Sequence, residues 1–181
     1  MKHTKKLTIS AVLVAMGCLV LVLGAVIDVL DLTAAALSSL LVAFAYIEIG
    51  SPYTWLIWIC TGVLSAVLFP GGTMWLSYLL IFGIYPILKG YIEKLKRPFW
   101  LPIKLVYANI SSVAVMLIMS FILGLSIVEE GSALSALPQG LLYGILLLLA
   151  NVAFIAYDYF ITVLVKYYFA KLRSRIKPML K

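Results

Sequence analysis

From Leu7 to Ile27 the chain carries no charged side chain, and at about 1.5 Å per residue such a stretch reaches about 30 Å, the thickness of a bilayer's hydrocarbon core. It is expected to cross a membrane as a helix. Lys2, Lys5 and Lys6 stand ahead of it, while Asp28 and Asp31 follow it with no base, which puts the amino end in the cytoplasm. Along the segment, Ala11, Ala15 and Cys18 recur at i, i+4 and i+7, lining one helix face with small side chains where another helix can come close. A cleaved signal peptide would carry an apolar region of about 7 to 15 residues. This one is longer, so it is expected to remain as a helix despite the small residues at Thr33, Ala34, Ala35 and Ala36.

The rest of the chain is written in the same language. Hydrophobic residues make up 65% and charged residues 12%, where a soluble domain carries about 25% charged. Little is left over for a soluble catalytic domain, and an all-α integral membrane bundle is expected over the single domain 1–181, a multi-pass protein of the cell membrane. Six spans are expected, at about 7–27, 32–49, 53–69, 73–89, 105–127 and 139–166, with a basic cytoplasmic tail over 167–181. Thr33 is a candidate helix cap, Ser51 and Pro52 mark a restart, and Pro70-Gly71-Gly72 a turn. Pro86 removes a backbone donor from the fourth span, which predicts a kink and a free carbonyl at Phe82. Cys18 and Cys60 fall inside apolar runs and are expected to be buried thiols that pack as small residues.

Basic residues test the topology. All Lys and Arg fall in the amino tail, in the region from Lys89 to Lys104, or from Lys166 onward, so both termini are expected to be cytoplasmic. The net charge of +7 then belongs to an anionic inner leaflet rather than to nucleic acid. Catalysis is poorly supplied. The one histidine, His3, falls in the amino tail, no His, Cys, Asp and Glu cluster has metal-ligand spacing, and no cofactor motif is present. The chain is not expected to be an enzyme.

Polar groups inside the spans are few, and a charge at mid-bilayer costs about 2.5–3.5 kcal/mol on insertion scales. On the inner half lie Glu48, Lys89, Lys104, Asn109 and Asp158. A network joining Asp158 or Glu48 to Lys89 or Lys104 is expected, either as structural ion pairing or as a proton or ion relay. On the outer half, Trp75, Tyr78, Tyr143 and Asn151, with Asp28, Asp31, Glu129 and Glu130 near the mouth, form either a substrate site or an aromatic belt. Asn151 suits a ligand or a helix-to-helix hydrogen bond equally. Gly140 and Gly144 make a small-xxx-small pair that suggests helix packing.

At Lys5-Lys6-Leu7-Thr8-Ile9-Ser10-Ala11-Val12-Leu13-Val14-Ala15 the chain resembles the start of a substrate-binding S component of the energy-coupling factor transporters. The resemblance extends to size, six spans and both ends inside. It implies that Ala11 and Ala15 dock on a transmembrane coupling subunit joined to two cytoplasmic ATPases. It also implies that the chain captures a vitamin-like small molecule and topples in the membrane to release it. The chain contains no ATP-binding glycine loop, which fits a subunit that borrows its energy. The alternative is a non-transporting scaffold, similar to the small rod-shape-determining membrane proteins, that positions partners through the Lys89–Lys104 loop.

Overall fold

A computed structural model describes residues 3–27, 30–70, 73–122, 124 and 138–174. Every regular element among them is helical: α1 (His3–Val26), α2 (Asp31–Glu48), α3 (Ser51–Leu68), α4 (Met74–Ser77), α5 (Tyr85–Ile92), α6 (Trp100–Leu117) and α7 (Gln139–Tyr167). Wider π-helical turns occupy Tyr78–Phe82, Ile118–Ile122 and Tyr168–Leu172, and a 3-10 turn occupies Arg97–Phe99. Six stretches are long and apolar enough to cross a membrane: α1, α2, α3, Met74–Ile92, Arg97–Phe121 and Gly140–Lys171. Their outward faces carry large apolar side chains, with Leu19 63% and Val67 72% exposed. Contiguous apolar surface of this kind suits lipid rather than water. The chain is an all-helical protein of the multi-pass membrane type.

Local rules set most boundaries, and several differ from the sequence expectation. The second helix begins at Asp31, so Thr33 lies inside its first turn and donates its hydroxyl to the Leu30 carbonyl at 2.8 Å instead of capping. Gly50, at a φ of 106°, holds the cap position of α3. That left-handed backbone favours glycine over Ser51, which becomes the first helical residue. Pro102 sits in the first turn of α6, where a missing donor costs nothing, and the helix accordingly starts at Trp100 rather than near Leu105. His3 is the first residue of α1, with its ring 5.8 Å from that of Tyr53. Cys18 is buried as expected, but Cys60 points outward from α3.

The chain divides into two compact units, Met1–Ile87 with Ile155–Lys181, and Leu88–Phe154. In the first, α1 packs against α2 and α3 through small residues. Gly17, Ala34, Ala35, Ser38 and Thr61 are all buried. The Ser38 hydroxyl donates to the Gly17 carbonyl at 3.2 Å, a contact that needs two helix backbones at close range. Around this seam lie Leu13, Leu21, Val42, Ile57, Met74 and Tyr78. Buried hydroxyls also turn back on their own helix, as Thr54 does to the Gly50 carbonyl at 3.0 Å and Ser65 to that of Thr61 at 2.8 Å. In the second unit, α6 and the amino-terminal part of α7 meet through Asn109 with Asn151 and Tyr107 with Phe154.

Candidate functional site

The outward flank of α1 is the first candidate. Ser10, Leu13, Gly17, Leu21 and Gly24 are buried, at the three- and four-residue spacing of one helix face. Ala11 and Ala15 lie on the opposite side and are exposed. Cys18, expected beside them, turns inward, where the Ser65 hydroxyl approaches its Sγ at 3.5 Å. The flank therefore presents two alanines, with Val12 and Met16 exposed alongside them.

Beneath α1, one end of the first unit gathers charge. The Lys6 ammonium donates to the Ile49 carbonyl at 3.2 Å, which satisfies a terminal carbonyl of α2. Glu48, its side chain only 7% exposed, is held by Arg173 at 3.0 Å. No spacing rule reaches from position 48 to position 173, and only the fold brings them together.

The break in the fourth span is built as Pro86 requires. In the π turn the Gly83 amide reaches back five residues to the Tyr78 carbonyl at 2.7 Å, and this releases the Leu79 carbonyl to accept from Trp58 Nε1 at 3.1 Å. Pro86 offers no amide to Phe82, and the Phe82 carbonyl accepts instead from the Tyr157 hydroxyl at 3.1 Å. Ser39 Oγ lies 2.5 Å from the same Tyr157 oxygen. One residue further along α7, Asp158 accepts from the Tyr85 hydroxyl at 2.5 Å. Tyr85 and Tyr157 were invisible as partners of these groups in the sequence, where only the free Phe82 carbonyl was legible.

In the second unit Lys89 and Lys104, each 6% exposed, share one carboxylate oxygen of Glu93, at 3.1 and 3.2 Å. Glu93 stands one helical turn after Lys89, so the i, i+4 spacing was the available signal. Asn109 and Asn151 form a reciprocal amide pair, at 3.1 and 2.9 Å, and each also donates to the carbonyl four residues before it, at 2.8 Å. Both side chains are thus committed to helix pairing. A double-mutant cycle with Asn109→Ala and Asn151→Ala should show a coupling of about 0.6 to 1.7 kcal/mol in detergent unfolding, as for interhelical polar pairs in membranes; zero coupling would mean that the pair holds nothing together.

The outer-half candidates are placed as follows. Tyr78 is wholly buried, so it is a core side chain rather than a belt residue. Trp75 lines a void of about 10 Å³ together with Leu21, Ser65, Phe69 and Met74, enough for about one water and no more. Asp31 is half-buried in the first turn of α2, and Tyr143 is exposed on α7. Asp28, Glu129 and Glu130 lie outside the described residues. Gly140 and Gly144 have no atom near the position of a Cβ, so they are not a packing pair among the described residues. No His, Cys, Asp and Glu cluster that could hold a metal occurs among the described residues either.

Comparison with known families, curated proteins and solved structures finds no match. The chain's own geometry is therefore the basis for a functional reading.

Proposed function

We propose that the chain is the substrate-capture subunit of a micronutrient importer of the energy-coupling factor kind. It sits in the cell membrane with both termini in the cytoplasm, binds a vitamin-like small molecule, and is driven by two ATPases through a transmembrane coupling subunit. The observation that carries this reading is the uncovered Ala11 and Ala15 flank on a helix whose opposite face is fully packed. Two alanines one turn apart let a partner helix approach closely, and in lipid such close packing is what drives helices together. The end of the first unit that holds Lys6, Arg173 and Lys171 faces the cytoplasm in this arrangement, in keeping with the positive-inside rule.

The test is co-purification with a co-expressed coupling subunit and its ATPases. Wild-type protein is expected to retain them; Ala11→Trp and Ala15→Trp are expected to lose them while keeping a wild-type unfolding midpoint. Leu56→Trp, on the exposed face of α3, should have no effect. Retention by both alanine variants would overturn the proposal.

The scaffold reading has one observation in its favour, the exposed run of Lys94, Lys96 and Arg97 between α5 and α6. A scaffold would lose its partners on Lys96→Glu with Arg97→Glu and keep them on Ala11→Trp, the reverse of the pattern expected here.

A further inference from the structure

A groove runs in the first unit between α2 and the carboxyl end of α7, lined by Leu40, Ala43, Phe44, Leu164, Tyr167 and Tyr168 and enclosing about 190 Å³. Its walls are apolar. Phe44 and Tyr168 meet edge to face at 5.7 Å and form one side. At the rim the charge changes character. Lys171 Nζ lies 5.8 Å from the centre of the Tyr167 ring. The neighbouring acid, Glu48, is already held by Arg173, whose guanidinium also sits 4.9 Å from the Phe169 ring. The rim is therefore cationic, the floor is apolar, and both belong to the last turns of a span ending at Lys171.

We infer that this groove is a binding site for one anionic glycerophospholipid, with an acyl chain along α2 and the phosphate against Lys171. Charge complementarity selects the occupant. A zwitterionic lipid or an apolar helix would fill the walls equally well but brings no net negative charge to Lys171, whereas a lipid with a net negative headgroup satisfies both ends of the groove. The Lys171 ammonium stands beside the Tyr167 ring at the end of the span, and a long lysine stem of this kind can carry its charge to the headgroups. The inference is independent of any coupling partner.

The experiment is native mass spectrometry of the full chain in detergent, titrated with dioleoyl phosphatidylglycerol or dioleoyl phosphatidylcholine. The first phosphatidylglycerol is expected to bind about fivefold more tightly than the first phosphatidylcholine, the worth of about one lysine at an anionic surface. Lys171→Glu, an exposed substitution that leaves the packed residues untouched, should erase that preference. Leu40→Trp, which fills the groove from its wall, should also erase it with Lys171 intact. Equal affinity for the two lipids in the wild type, or a preference that survives Lys171→Glu, would overturn the inference.

Discussion

Gly24→Leu is expected to abolish the folded state of the first unit. A Cβ at position 24 would lie 2.3 Å from the Cβ of Ala34 and 3.0 Å from Met74 Sδ. The methionine can swing away, but the alanine Cβ is fixed to its backbone, so α1 and α2 must separate along the seam that Gly17 and Ser38 also form. Overpacking by a methyl alone costs about 1–3 kcal/mol, and Gly24→Ala should lose that much. A leucine at the same place adds a branched side chain where there is no room, against a total stability of about 5–15 kcal/mol for a domain. The readout is built into the chain: Cys18 is buried and Cys60 exposed, so in detergent an apolar maleimide should modify Cys60 first in the wild type and both thiols alike in Gly24→Leu. Gly140→Leu, with no atom near its Cβ position, should keep the wild-type pattern. Protection of Cys18 in the Gly24→Leu variant would show that the seam accommodates the larger side chain and would overturn the prediction.

Glu93→Ala carries the second large effect. Its carboxylate is shared by Lys89 and Lys104, whose side chains are 7% and 8% exposed, while Glu93 itself is 34% exposed. Removing the acid takes from two buried ammoniums the charge they share. Breaking a buried pair from one side costs about 3–5 kcal/mol, and the exposure of Glu93 places the loss at the low end, about 3 kcal/mol. Chemical unfolding of the purified protein should report it. Adding Lys104→Met to Glu93→Ala removes one of the two buried cations and should recover part of the loss; a double variant no better than the single would mean that desolvated charge is not the cause. The same pair of changes leaves Ala11 and Ala15 intact, so the proposed docking of a coupling subunit should be unaffected by it.

Much of the architecture could be read directly. The number of spans and their approximate places follow from uninterrupted apolar length, because a bilayer gives backbone polar groups no partner except within a helix. Pro86 announced the broken fourth span and the freed Phe82 carbonyl. Boundaries moved by a few residues where a local conformation outweighed composition, as at Gly50, where positive φ excluded Ser51 from the cap. The polar groups were harder. Asp158, Glu48, Lys89 and Lys104 were identified as needing partners, yet the partners observed include Tyr85, Arg173 and Glu93, and of these only Glu93 lies at a spacing that a helix alone would connect.

The sequence by itself determined that the chain is helical and of the membrane type, and that Ala11 and Ala15 share a helix face, because hydropathy and helical period are local properties. Only the tertiary structure decided that this face is left bare, that Tyr78 is core and that Asn151 is committed to Asn109. It also decided that an apolar groove ends beside Lys171. Each of these depends on which side of one helix meets which side of another across tens of residues, and close-packing between distant segments leaves no periodic mark in the chain.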